Sequence, residues 1–139
     1  MKLKIKKLHI DAKVPSFAHG YDAGMDMFAI EDILVKNGES AKIKTGLALE
    51  IPDGYVGLFW DKSSVGSKNL KTFGGVIDAG YRGEIMILIK NLSNEDYTFH
   101  KGDKVAQLLI QKVEHPEIEI VEELSDTTRG EGGFGSTGK

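Results

Sequence analysis

KIKTGLALEI, residues 42–51, places Ile43, Leu47, Leu49 and Ile51 on one parity of the chain. A period of two marks a strand with one wet face, because successive side chains leave a pleated backbone on opposite sides. The same reading extends outward in both directions. LKIKKLHI (3–10), YVGLFW (55–60), YTFH (97–100) and VAQLLIQKV (105–113) read as strands, and in EIEIVEEL (117–124) Ile118 and Ile120 alternate with Glu117 and Glu119. Turn signals separate them at NGES (37–40), PDGY (52–55), NLSNED (91–96) and HKGD (100–103). No stretch sustains an amphipathic helical pattern; at most one turn of helix fits SVGSKNL (64–70). The fold class is all-β, a sandwich or barrel of short strands. EIMILIK (84–90) is apolar at every position from Ile85 to Ile89, which predicts a strand covered on both faces, either as a central strand of one chain or against another subunit.

At 139 residues the chain is the size of one domain, and its 40% hydrophobic and 28% charged content is that of a globular protein. A net charge of −3 gives no overall basic field for gripping a nucleic-acid backbone, so any anion must be met locally. The absence of cysteine excludes disulfides, thiolate nucleophiles and sulfur-ligated zinc. MKLKIKKLHI at the start lacks the apolar run of a signal peptide, and no segment is apolar for long enough to cross a bilayer. The expectation is a cytoplasmic protein without membrane or nucleic-acid partners. From Ser125 onward almost nothing apolar remains except Phe134, so 1–124 is expected to form the core and 125–139 a flexible, glycine-rich arm.

Three segments could carry chemistry. In FGGVIDAGYRGEI (73–85) four glycines bracket Asp78 and Tyr81 where a hairpin tip would sit. Exposed main-chain groups on such a tip can pair with the edge of a base, and Asp78 at its root can accept a proton from water; a plain glycine-rich turn with a solvated Asp reads equally from this segment. WDKSSVGSK (60–68) offers two adjacent hydroxyls, Ser63 and Ser64, with Lys62 and Lys68 on either side, a donor-rich loop suited to phosphate oxygens or simply a short polar loop. The end, GFGSTGK (133–139), meets most of the P-loop pattern but lacks both its metal-binding hydroxyl and the helix that follows, and is not expected to be one. The four histidines, at 9, 19, 100 and 115, show no metal-ligand spacing, so a cation should arrive with the ligand.

Taken in order, AGMDMFA (23–29), DKSSVGSK (61–68), GGVIDAGYRGEI (74–85), KGDKVAQL (101–108) and RGEGGFGSTGK (129–139) resemble the five signature segments of the homotrimeric dUTP pyrophosphatases, the dUTPase family. The resemblance implies a distorted jelly roll of the dUTPase type, Mg²⁺-dependent hydrolysis of dUTP to dUMP and pyrophosphate, and active sites shared between three subunits. It implies Asp78 as the general base that activates water, Tyr81 beneath the deoxyribose, and the backbone around Val76, Ile77 and Asp78, continuing to Met86, reading uracil. Thr72 stands where some relatives place an asparagine near the base. Lys62, Ser63, Ser64 and Gln107 match phosphate contacts, and Asp26 matches an acid that organises the site. Arg129, Phe134, Gly135, Ser136 and Thr137 match a lid, with the phenylalanine stacking on uracil. Mg²⁺ is held through the triphosphate and water, with no direct protein ligand. Asp61 and Lys62 replace the family's usual Pro-Arg, which removes a bidentate fork and predicts weaker phosphate positioning. The dCTP deaminases share the fold and resemble the chain around IDAGYRG, but their catalytic Glu would fall at Leu88.

Overall fold

The computed structural model describes residues 1–133. Its strands are β1 (Lys4–Lys7), β2 (Met25–Phe28), β3 (Ile33–Val35), β4 (Ser40–Lys44), β5 (Leu47–Glu50), β6 (Tyr55–Asp61), β7 (Leu70–Phe73), β8 (Val76–Ile77), β9 (Met86–Asn91), β10 (Tyr97–Phe99) and β11 (Lys104–Lys112), with one helical turn, α1 (Ser63–Gly66). They form a four-stranded sheet in the order β2-β11-β6-β8, a three-stranded sheet β4-β9-β7, and the pairs β1-β5 and β10-β3. Every pairing is antiparallel. Inward side chains of all these sheets meet in one core that includes Met27, Leu47, Leu49, Ile87, Ile89, Phe99, Val105 and Leu108, as in a β-sandwich. The all-β class read from the alternation is the observed class.

The stretch from Lys42 to Ile51 is two strands rather than one. Gly46 adopts φ +69°, a left-handed conformation that a side-chain-bearing residue enters only at a cost, and the chain passes from β4 to β5 there. A Cβ on Gly46 would lie 3.0 Å from Ala12 Cβ. Ile43, Leu47, Leu49 and Ile51 are nonetheless all buried, so the apolar parity survives the bend. Thr45 at the joint is itself buried, and its hydroxyl donates to the Ile85 carbonyl at 2.7 Å, which satisfies it.

One expectation is corrected. Residues 117–124 form no strand, and Ile118 and Ile120 are almost fully exposed. Among the described residues that segment pairs with no strand, and its alternation covers no core. As one of the two alternatives had it, β9 is the central strand of its sheet, and within one chain Ile87 and Ile89 are sealed while Met86 is open. β3 and β7 lie outside the segments read as strands, being too short to show a period. Among the described residues no helix is long and apolar enough to cross a membrane.

Asn91 ends β9 as a fully buried polar hub. Its amide donates to the carbonyls of Val35 (2.9 Å) and Glu95 (2.8 Å), and its Oδ1 accepts from the Ser93 amide (2.9 Å) and hydroxyl (2.7 Å). Removing it strands a buried carbonyl of β3. Asn91→Ala is expected to destabilise the protein by about 3 kcal/mol, read as a lower urea midpoint at fixed protein concentration and unchanged slope.

Candidate active site

The glycine hairpin hangs from the edge of the four-stranded sheet. β8 pairs with β6 through Gly57 opposite Ile77 and Leu58 opposite Val76, and Phe59 N donates to Gly75 O at 2.7 Å. Among the described residues no strand pairs with its other edge, so alternate main-chain donors and acceptors along that edge are left without a strand partner. Tyr81 N donates to Asp78 O at 3.1 Å and tightens the tip. The Tyr81 hydroxyl donates to Glu84 O at 3.0 Å, and a Cβ on Gly83 would sit 2.4 Å from that hydroxyl, so the ring can fold back only over glycine. Glu84 in turn accepts from the Gly46 amide at 3.0 Å, which fixes the hairpin against the β4–β5 joint.

Between this hairpin and β9 opens a cavity of about 230 Å³, bordered by Phe59, Val76, Ile77, Asp78, Tyr81 and Met86. Five of the residues predicted from the sequence therefore surround one concavity. Its volume falls below the roughly 300–1,000 Å³ of a complete small-molecule site, so it suits a fragment with the remainder lying outside. A larger cleft of about 540 Å³, bordered by His9, Glu31, Asp32, Lys44 and Lys101, contains none of the predicted residues and shares only Glu84 with the first.

The second group gathers at the far end of β6. Asp26 on β2 is buried, and its two carboxylate oxygens are taken by two lysines: Lys62 at 2.9 Å and Lys104 at 2.6 Å. Burial alone would raise the Asp26 carboxyl, but hydrogen bonds and charge from Lys104 and Lys62 outweigh it and hold it below the ordinary 3.8. Gln107 stands directly opposite Asp26 in the β2–β11 ladder, and Ser63 and Ser64 are exposed at the start of α1, just beyond Lys62. Asp61, one residue before Lys62, turns the other way. It accepts from the Thr72 amide at 2.8 Å, from the Thr72 hydroxyl and from Lys71. Thr72 is thus bound to Asp61, and Lys62 to Asp26, before any ligand is considered.

The two groups do not meet within one chain. Ile77 faces Gly57, whereas Asp61 ends β6, and the four residue steps from Gly57 to Asp61 alone span about 13 Å of strand. Asp78 lies beyond one end of this span and Ser63 beyond the other. Arg129 is exposed and donates to Gly132 O at 2.8 Å within the tail. Phe134, Gly135, Ser136 and Thr137 lie outside the described residues. Phe59, which floors the cavity, and Lys104, whose segment reads as a turn entering a strand, are not among the residues that the sequence singles out. No single-residue signal marks either; only the strand pairing brings them in.

Residues 11–138 match the family model described as dUTPase. The chain is 48% identical, over the full length of both, to the deoxyuridine 5'-triphosphate nucleotidohydrolase of Nautilia profundicola. To the protein of the same name from Clostridium tetani it is 45% identical, over 99% of this chain and 97% of the relative. Among solved structures it is similar to the Staphylococcus bacteriophage 80alpha dUTPase with dUPNHPP, with TM-score 0.94, 37% identity and 99% of each chain covered. It is also similar to a mutant dUTPase from phage phi11 of S. aureus, described with a structural Mg(II) ion, with TM-score 0.83, 35% identity, and 88% and 98% of the two chains covered.

Because the folded carboxyl of Asp26 is depressed, its contribution to stability is fully present above about pH 4 and is lost as pH falls through the folded value. Asp26→Asn is expected to cost about 2 kcal/mol at pH 7, a buried-pair loss discounted for two partly exposed lysines. The difference from the parent protein should shrink below pH 3.8, measured by urea unfolding across an acid series.

Proposed function

The chain belongs to the dUTPase family, and on that premise we propose how it turns dUTP into dUMP and pyrophosphate. Uracil enters the cavity beneath the hairpin. The outward edge of Val76–Asp78 offers a donor to O4 and an acceptor to N3–H, a pairing that cytosine's reversed pattern leaves unsatisfied. Tyr81 packs under the deoxyribose and Met86 closes the opposite wall. The Asp78 carboxylate takes a proton from water as the water oxygen bonds to the α-phosphorus, the bridging α–β P–O bond breaks, and pyrophosphate leaves with that electron pair. Residues 125–139 act as an arm whose Arg129, Phe134, Gly135, Ser136 and Thr137 close over bound nucleotide and exclude bulk water.

Among the described residues no three His, Asp or Glu side chains gather to hold an ion. Mg²⁺ is proposed to come with the triphosphate, bound by its oxygens and water, and when bound it offsets charge on the phosphates. The triphosphate then has to reach Lys62, Ser63, Ser64 and Gln107. The cavity has room for only a nucleoside-sized fragment, and the residues proposed to meet phosphate lie at the other end of β6, so a second chain is proposed to supply that end, as in a homotrimer. The open Met86 face of β9 and the uncovered 117–124 segment are surfaces such an assembly would use. A cytoplasmic setting belongs to the same proposal.

The observation that carries this reading is the concavity that Val76 and Ile77 of β8, Asp78 and Tyr81 border together. Pyrophosphate release should be rapid with dUTP and Mg²⁺, and at least about 100-fold slower with UTP, dCTP or dTTP or without the metal. With dCTP no ammonia is expected, since Leu88 of β9 offers no proton shuttle. Asp78→Asn should lower kcat about 10²–10⁴-fold while binding a non-hydrolysable imido analogue of dUTP nearly as the parent does. Turnover of dUTP at the parent rate by that same variant rules out the general-base assignment.

A further inference from the structure

Lys104 lies outside every role assigned so far, yet it makes the shorter of the two bonds to the buried Asp26 carboxylate. Its position there is built by the backbone. The β2–β11 ladder pairs Lys104 with Phe28 and Ala106 with Met27, so one extra residue is inserted between them, a β-bulge. Val105 and Ala106 are in consequence both fully buried, where strict alternation would bury one. A bulge re-aims the side chains beside it, and this one leaves Lys104 over Asp26 and sets Gln107 directly opposite it.

Without Lys104 the carboxylate would have a single cation, Lys62, to balance a charge that is almost entirely out of water. A buried carboxylate then holds its partner tightly, because parting from it exposes an uncompensated charge. With Lys104 on the second oxygen, the carboxylate is already matched, and Lys62 is shared instead of captured. An ammonium has three N–H donors, and Lys62 spends one on Asp26 at 2.9 Å, which leaves donors for a phosphate beside Ser63 and Ser64. The geometry points to Lys104 as a positioning residue: by occupying one oxygen of Asp26 it keeps Lys62 free to bind the triphosphate. This rests on the proposed landing of phosphates at Lys62, Ser63 and Ser64. It gives the replacement of the usual Pro-Arg a structural partner on another strand.

The test uses the full chain, dUTP hydrolysis, and binding of deoxyuridine, which carries no phosphate. Lys104 is about half exposed but pairs with a buried carboxylate, so Lys104→Met should still fold, with a lowered unfolding midpoint. It should raise KM for dUTP about 10-fold, leave kcat within about 3-fold and leave deoxyuridine affinity unchanged, a loss of ground-state phosphate binding alone. Lys104→Arg, which still reaches the carboxylate, should restore KM to within about 3-fold of the parent. In an Asp26→Asn background the Lys104→Met penalty should vanish, since there is no carboxylate left to capture Lys62. Lys104→Met with an unchanged KM, while Lys62→Met raises it, overturns the inference and spares the landing site. A penalty that persists in the Asp26→Asn background also overturns it, because Lys104 would then act on the phosphate directly. An unchanged KM in Lys62→Met removes the landing site and the inference together. If Asp26→Asn does not fold, the pair at 104 decides alone, and equal impairment by Met and Arg overturns the proposal.

Discussion

The seven-residue strand β6 carries two ladders, one with β11 along its whole length and one with β8 at Gly57 and Leu58. Gly57 faces Ile77 of β8 on one side and Ile110 of β11 on the other, while Asp61 at the far end faces Ala106. A slip of one residue in either ladder would send every β6 side chain to the opposite face. It would also move the hairpin relative to β9, pull Gly75 O away from Phe59 N, and carry Asp61 and Lys62 away from Thr72 and Asp26. The apolar fit of Leu108 and Ile77 against the core forbids that slip, so packing in the interior sets the coordinates of polar groups at both ends.

The two ends use different physics. At the hairpin the groups proposed to recognise uracil are main-chain dipoles on a sheet edge that no described strand covers, held by hydrogen bonds through Tyr81, Glu84 and Gly46. Such a surface discriminates by pattern, since a wrong ligand leaves donors and acceptors without partners. At the other end the groups are charged, and the expense of burying Asp26 is offset only by two cations. Asp61 adds a second anchor through Lys71 and Thr72; burial opposes its charge, but those bonds prevail and keep its carboxyl below the ordinary value. Adjacent residues 61 and 62 therefore tie the start of α1 to two different strands, β7 and β2.

Alternation made the all-β class legible, and the five signature segments made the family legible. The joint at Gly46 was not readable, because the apolar parity of Ile43, Leu47, Leu49 and Ile51 runs through it unbroken; a left-handed residue shifts the direction of a chain without announcing itself in the pattern. The 117–124 segment misleads in the opposite sense: Ile118 and Ile120 have the period of a strand, but a strand also needs a pairing edge, and that is a property of the fold and not of the segment. The hairpin residues could be named in sequence because they are contiguous. Lys104 and Phe59 could not, since their importance comes from register across β2, β11 and β6. The engagement of Thr72 by Asp61 was hidden for the same reason, the partners standing on different strands.

The length of β6 between the hairpin and the lysine-bound carboxylate has a genetic corollary under the proposed assembly. Each working centre would take its acid from one copy and its phosphate grip from another, so two alleles crippled at opposite ends need not be equally harmful together. Mixed particles from a cell expressing both would contain some centres assembled wholly from intact halves. Lesions within the same end would never rescue each other this way, and a complementation map would divide the chain along the axis of that one strand.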